Sequence, residues 1–196
     1  SAVSAPEGAG QDNRNSDYEW IIDPIDGTVN FAHGLPLWCS SVAVRHGGTV
    51  VAGAVFAPEL ERLYTASTDA AALCNNQRVS VSKIDHLADS LILTGTNSNL
   101  KEERESYGLF EKIASAAQRP RITGSAALDI CHVSAGKAEG YFEPSIFIWD
   151  VAAAGLICEK AGGAIEQIRP PDDRHCLSFV ATNGRVHEEL KKLLSL

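Results

Sequence analysis

The chain has 196 residues, of which 44% are hydrophobic, so it is long enough to bury one substantial core or the cores of two small lobes. Its formal net charge of −8 argues against nucleic acid or an anionic membrane surface as the main partner, and no apolar run of about 18 residues predicts a membrane span. The five cysteines are scattered and include no C-x-x-C pair, which indicates reduced thiols in a cytoplasmic protein rather than a disulfide framework or a zinc site.

The beginning of the chain has the composition of a loop. Residues 1–16 are rich in Ser, Ala, Gly, Asn and Pro and contain no apolar stretch of the kind found in signal peptides. The chain starts with Ser1 and contains no Met. We therefore expect a fragment or a cleavage product that opens inside a loop.

The first predicted strand ends in a concentration of negative charge. The apolar residues 20–22 are followed by Asp23 and Asp26, within the segment Asp-Pro-Ile-Asp-Gly-Thr. Carboxylates this close repel each other unless a cation neutralises them. Asp, Pro and Gly are also the commonest turn residues, so an ordinary solvated turn is the alternative interpretation.

Several more strands are predicted in the first half of the chain. Strands at 40–45 and 49–57 flank a hairpin signal at His46-Gly47-Gly48. Shorter strands follow at 62–66, 78–81 and 91–94.

Helices become frequent in the second half. A helix over 103–118 is predicted by apolar residues at helical spacing: Tyr107, Phe110, Ile113, Ala114 and Ala117. Helices rich in small residues are predicted at 126–135 and 151–161, then a strand at 179–181 and a last helix lined by Val186, Leu190, Leu193 and Leu194. The order predicts a mixed α+β domain over 17–196, with an antiparallel-rich half at 17–95 and an α/β half at 96–196.

A third carboxylate lies at a predicted element end. Residues 149–163 read Trp-Asp-Val-Ala-Ala-Ala-Gly-Leu-Ile-Cys-Glu-Lys-Ala-Gly-Gly, with Asp150 at a predicted helix N-cap and the Gly pair at a predicted C-cap. A capping role alone would explain Asp150. Together with Asp23 and Asp26, however, it completes a set of oxygen ligands on different elements, and Mg²⁺ typically binds one or two carboxylates plus phosphate and water.

The two acidic motifs, Asp-Pro-Ile-Asp-Gly-Thr-Val-Asn-Phe and residues 149–163, together resemble the paired signature of the inositol monophosphatase family. Thr-Gly-Ser-Ala-Ala-Leu at 123–128 and the strand Gly-Tyr-Phe-Glu at 140–143 support the resemblance, which covers the chain from Tyr18 onward. Members are Mg²⁺-dependent, lithium-sensitive phosphomonoesterases. The resemblance implies a layered αβαβα sandwich, whose N-terminal helices we expect to be missing from this chain.

The resemblance also implies a set of metal ligands. Asp23 would bridge two Mg²⁺ ions, the carbonyl oxygen of Ile25 would bind the first, and Asp26 and Asp150 would hold the second. Ile25, Asp26 and Asp150 would therefore also lie next to the bound substrate.

Further residues would bind the substrate itself. Gly27 and Thr28 would open a helix whose backbone N–H groups bind the phosphate. The Thr28 hydroxyl would orient the attacking water, so Asp26 and Thr28 are the implied catalytic residues. Gly124, Ser125 and Ala126 would line the sugar or inositol pocket, and Glu143 would accept hydrogen bonds from ring hydroxyls.

The substrate implied is inositol 1-phosphate or a similar polyol monophosphate. Fructose-1,6-bisphosphatases and 3′-phosphoadenosine-5′-phosphate phosphatases belong to the same superfamily and are alternatives. The resemblance further implies a homodimer in the cytoplasm, with a small phosphorylated polyol or sugar as its partner and with neither nucleic acid nor membrane.

One feature of the family pattern is absent. Members carry a Glu-Glu pair upstream of the first motif, and the first Glu binds metal, whereas Glu7 stands here in a Pro/Gly loop without that context. We expect the chain to begin just after the pair. A non-catalytic binding or scaffold module therefore remains an alternative function.

Two other families with acidic motifs fit this sequence less well than the inositol monophosphatase family does. Haloacid dehalogenase phosphatases use Asp-x-Asp-Gly-Thr, but here the two Asp residues are one position further apart, and the Trp-Asp motif has no role in that scheme. The spacing of an EF-hand calcium loop is not matched either.

Overall fold

The structure is a computed structural model that describes residues 17–95, 100–168 and 175–195, with only the backbone described for 100–106. The predicted loop at 1–16, including Glu7, lies outside the described residues.

The first half of the chain forms a six-stranded antiparallel sheet in the order β1-β2-β3-β4-β5-β6. Its strands are β1 Tyr18–Asp26, β2 Cys39–His46, β3 Thr49–Ala57, β4 Arg62–Ser67, β5 Ala70–Cys74 and β6 Gln77–Arg78. The hairpin predicted between β2 and β3 is confirmed, with both turn glycines at positive φ. The strand predicted at 78–81 is wrong beyond Arg78, because the chain leaves the sheet there and the N–H of Val81 bonds to the carbonyl of Ala161 instead.

A five-stranded sheet follows, in the order β10-β11-β9-β7-β8. Its strands are β7 Leu91–Thr94, β8 Arg119–Ile122, β9 Gly140–Phe147, β10 Ala164–Ile168 and β11 Cys176–Thr182. Strand β7 pairs in parallel with both β8 and β9, so all three strands run toward the same edge of the sheet, the one at which β7 and β8 end. In open sheets this edge commonly carries ligands.

The helices are α1 Thr28–Ala32, α2 Leu100–Ala116, α3 Ala126–Ser134, α4 Ile148–Lys160 and α5 His187–Leu194. All five were expected, but the buried face of α2 differs from the prediction. Tyr107 is 53% exposed, whereas Ile113 is fully buried and Leu109 packs beside it. None of the described helices is both long enough and apolar enough to cross a lipid bilayer.

The described elements stack as sheet, helix pair, sheet, helix pair. Helices α3 and α4 lie between the two sheets and contact strands of both, while α2 and α5 pack on the far face of the second sheet. This arrangement confirms the mixed α+β fold and the later layers of the predicted αβαβα sandwich.

Close packing between α4 and the first sheet depends on small residues. A Cβ added to Gly53 on β3 would lie 2.9 Å from both the Cα and the carbonyl oxygen of Ala153 on α4. Such a distance is shorter than real Cβ contacts allow, so only Gly permits this approach of helix and strand.

The outer face of the first sheet is apolar, and no described element covers it. Tyr18, Trp20 and Ile22 project from β1 at 57%, 65% and 52% exposure. Phe56 and Leu63 form a cross-strand pair on the same face and are also exposed. An apolar face of this kind indicates a contact surface.

Candidate metal and phosphate site

Asp23 and Asp26 lie on the same side of β1 because the strand is irregular between them. Residues three positions apart in a regular strand point to opposite faces. Here the pairing with β2 shifts register between Asp23 and Asp26, at Pro24 and Ile25. The Asp23 carboxylate accepts a hydrogen bond of 3.0 Å from the Ile25 N–H, which holds the irregular segment in place.

Asp150 reaches the same place from α4. The prediction that it is the N-cap is wrong, because the helix already begins at Ile148, directly after strand β9, and Phe147 is the N-cap. Asp150 lies in the first turn, and its carboxylate accepts a 3.2 Å hydrogen bond from the Phe147 N–H. The carboxylate therefore both caps the helix and faces β1.

The three carboxylates form one cluster, with one oxygen of each within 4.8 Å of the others. Burial raises the pKa of Asp26 to about 6, and the charge of Asp23 contributes in the same direction. Burial, followed by the charge of Asp26, also raises the pKa of Asp150. Within the described part of the chain, no basic side chain forms an ion pair with this acidic triad. A set of oxygen-only donors with uncompensated charge fits a hard divalent cation such as Mg²⁺.

Asp26 is the most firmly held member of the triad. Its Oδ2 accepts hydrogen bonds from the Ser125 hydroxyl (2.7 Å) and the Ala127 N–H (2.8 Å), and its Oδ1 accepts one from the Ala126 N–H (3.3 Å). The buried Cys39 thiol lies 3.6 Å from Oδ2. The start of α3 therefore fixes the orientation of Asp26.

The segment 124–126, predicted to line the substrate pocket, therefore also contacts the triad through its hydrogen bonds to Asp26. The Ser125 side chain is only 2% exposed, and it is directed at Asp26. Gly124 is exposed and has a φ of +90°. Its predicted role in lining a sugar pocket stays a prediction.

The predicted phosphate-binding turn adjoins the same segment. Gly27 has a φ of +86° and is the N-cap of α1, as expected, and Thr28 is exposed. The buried Asn30 side chain donates to the carbonyls of Leu37 (2.6 Å) and Thr123 (2.8 Å). Asn30 thus joins the α1 turn to the loop that leads into α3.

Two further carboxyl groups lie near the triad, the half-buried Glu143 and the buried Asp129. Glu143, predicted as a substrate ligand, accepts a 2.5 Å hydrogen bond from the Tyr141 hydroxyl, and burial raises its pKa to about 7. Asp129 on α3 is 1% exposed and accepts a 2.5 Å hydrogen bond from the Thr123 hydroxyl, and burial raises its pKa to about 8. Asp129 is not among the residues predicted from the sequence, although a single acidic residue in the otherwise apolar face of a predicted helix is a signal for a functional or structural carboxylate.

A family model described as the inositol monophosphatase family matches residues 2–195. The chain belongs to this family. Membership in this family of phosphatases confirms the interpretation of the paired motifs and excludes the haloacid dehalogenase alternative.

Individual inositol monophosphatase family members are similar over most of this chain. A putative Nus factor SuhB of Neisseria meningitidis is 34% identical over 195 residues, which cover 98% of this chain and 75% of that protein. The solved inositol monophosphatase of Anabaena has a TM-score of 0.87 at 33% identity and covers 94% of this chain and 74% of its own.

SaIMPase-II of Staphylococcus aureus, solved with bound inositol monophosphate, has a TM-score of 0.79 at 28% identity, covering 92% of this chain and 71% of its own. The same protein was also solved with bound 2′AMP. The present chain thus spans about three quarters of the length of these relatives.

Proposed function

We propose that this protein hydrolyses phosphate monoesters of small polyols in a Mg²⁺-dependent reaction, with inositol 1-phosphate as its preferred substrate. The observation that carries the proposal is the cluster of Asp23, Asp26 and Asp150, whose oxygens approach within 4.8 Å beside the Gly27–Thr28 turn. Inositol monophosphate bound to SaIMPase-II supports the substrate class.

Asp23, Asp26, Asp150 and the Ile25 carbonyl would hold the cation. When bound, Mg²⁺ would supply the positive charge that activates water and stabilises the leaving oxygen of a phosphate ester. A phosphate group approaching the uncompensated triad would otherwise be repelled, so metal and substrate binding depend on each other.

The chain's own groups would complete the site. The Gly27 and Thr28 N–H groups would bind phosphate oxygens, and the Thr28 hydroxyl would orient the attacking water. Glu143 would accept hydrogen bonds from the polyol, because it directly follows Phe142, the last β9 residue paired with β7, and has one carboxylate oxygen held by Tyr141.

A nucleotide phosphatase is the second candidate, since SaIMPase-II was also solved with 2′AMP. Fructose-1,6-bisphosphatase activity is an alternative within the same superfamily. A non-catalytic role is the other alternative, in line with the Neisseria relative named as a Nus factor. The homodimer, lithium sensitivity and cytoplasmic location stay predictions.

The test is a comparison of kcat/KM on the intact protein for inositol 1-phosphate, fructose 1,6-bisphosphate and 3′-phosphoadenosine 5′-phosphate, with Mg²⁺ and with excess chelator. We expect inositol 1-phosphate to be preferred and chelator to abolish turnover. Preference for the nucleotide would overturn the polyol assignment, and undiminished turnover in chelator would overturn the metal requirement. No turnover of any of the three would favour the non-catalytic role.

A further inference from the structure

The Glu143 carboxylate lies between the Tyr141 side chain and the backbone of Gly95. Below it, Tyr141 is fully buried in the core, and its hydroxyl donates to Oε2 of Glu143 at 2.5 Å. Beside it runs the backbone of Gly95, which directly follows strand β7.

The absence of a side chain at Gly95 leaves the space that the Glu143 carboxylate occupies. A Cβ added at Gly95 would overlap Oε2 of Glu143 and would lie 2.5 Å from Cδ and 2.8 Å from Oε1. The two strands cannot separate to relieve this overlap, because β7 and β9 pair in parallel up to Thr94 and Phe142. The Thr94 hydroxyl also donates to the Phe142 carbonyl at 2.6 Å.

A glutamate side chain has three rotatable bonds and loses considerable entropy when one orientation is imposed. The Tyr141 ring is held by the core, so its hydroxyl presents a fixed donor to one oxygen of the carboxylate. With that oxygen held and Gly95 on its flank, the plane of the carboxylate is fixed before any substrate arrives. Such preorganisation lowers the cost of binding a ligand that the same group must recognise.

We propose that Tyr141 and Gly95 are positioning residues that orient Glu143, and that this orientation sets the preference of the site for leaving groups rich in hydroxyl groups. The inference rests on the proposed phosphatase function. A structural role for Tyr141, in which the hydroxyl only satisfies its own burial, predicts no substrate-dependent effect.

The test compares Tyr141→Phe with Tyr64→Phe in the intact protein, on inositol 1-phosphate and on p-nitrophenyl phosphate, whose leaving group has no ring hydroxyl other than the one released. Tyr64 is the matched control because it is also a buried tyrosine, 1% exposed, with its hydroxyl near the Cys74 thiol. We expect Tyr141→Phe to lower kcat/KM for inositol 1-phosphate about tenfold, mainly through KM, as loss of a hydrogen bond to a charged group implies. Its turnover of p-nitrophenyl phosphate should stay unchanged, and Tyr64→Phe should leave the ratio of the two substrates unchanged.

Gly95→Ala is a second variant that should produce the same selective loss without removing any hydrogen-bonding group. Urea unfolding of the metal-free variants provides a readout independent of catalysis, and we expect Tyr141→Phe and Tyr64→Phe to lower the midpoint to a similar extent. An equal loss on both substrates, or no loss on either, would overturn the inference while leaving the phosphatase function intact. Absence of turnover of both substrates by the unaltered protein would overturn the proposed function and this inference with it.

Discussion

The carboxyl groups around the site fall into two sets that differ in how their negative charge is compensated. Asp23, Asp26 and Asp150 crowd together: burial raises the pKa of Asp26 and of Asp150, and the charge of Asp23 adds to both shifts. Asp129 and Glu143 are each held by one hydroxyl donor, and burial is the main reason for their raised pKa values. Crowded carboxylates require a cation to neutralise their charge. A carboxyl group that stands alone and is shielded from water is instead stabilised by a hydroxyl donor or by its own proton.

The largest expected effect is a loss of phosphatase activity on substitution within the triad but not on substitution of Asp129. Asp150→Asn removes a charged ligand from the triad and should abolish Mg²⁺-dependent phosphatase activity, as should Asp26→Asn. Asp129→Asn should retain turnover, because Asp129 lies outside the triad. Asp69→Asn, at an exposed turn, is the surface control, and steady-state assays at saturating Mg²⁺ measure all four variants. Activity surviving in Asp150→Asn would mean that the triad does not hold the catalytic metal.

The second expected effect concerns stability and pH in the metal-free protein. Since the pKa of Asp129 is raised from 3.8 to about 8, its contribution to stability is complete below about pH 4 and is lost as the pH rises through about 8. Metal-free protein should therefore be less stable at pH 8 than at pH 5, and Asp129→Asn should remove a share on the order of a few kcal/mol of that difference.

Urea unfolding at the two pH values measures this loss. Glu143 and Asp26, with pKa values raised to about 7 and about 6, add losses of the same sign, so some pH dependence remains in the variant. Asp69→Asn should show the full pH dependence. An unchanged difference in Asp129→Asn would show that Asp129 is not buried as a protonated acid.

The smallest expected effect tests how the triad is supported. Ser125→Ala removes the hydroxyl that donates to Asp26 and should weaken Mg²⁺ binding about tenfold, the lower end of the range for partners of metal ligands. Ser134→Ala is the matched control, because Ser134 is a buried serine at the other end of α3 whose hydroxyl donates to the Ile130 carbonyl rather than to a carboxylate of the triad. Calorimetric titration with Mg²⁺ compares them, and equal affinities would contradict a positioning role for Ser125.

Much of this arrangement could be predicted from the sequence because strong local signals coincide with the elements. The β2–β3 hairpin and α4 follow from a Gly-Gly turn and from a run of small apolar residues ending in glycine. Strand β5, Ala-Ala-Ala-Leu-Cys, was missed because alanine has low strand propensity, and β8 because its Arg-Pro-Arg-Ile sequence suits only an edge strand.

The residues of the site could be predicted from the sequence, but the way in which they come together could not. The motifs identify Asp23, Asp26 and Asp150, but the irregular register of β1 and the early start of α4 that bring them together depend on tertiary packing. Gly95 carries no motif signal of its own, since its relation to Glu143 arises only when β7 and β9 pair, whereas Tyr141 and Glu143 lie two positions apart on one strand.

On the proposed metal-dependent function, the contact between Gly53 and Ala153 would influence which cation the protein selects. Asp150 precedes Ala153 by about one helical turn, and Asp23 lies in the same sheet as Gly53, so the separation of helix and sheet also sets the separation of the metal ligands. Mg²⁺ demands short bonds and near-ideal octahedral geometry, whereas Ca²⁺ accepts longer bonds and looser shells. A single methyl group at position 53, remote from the chemistry, would widen that separation and shift the ion preference from the smaller cation toward the larger one.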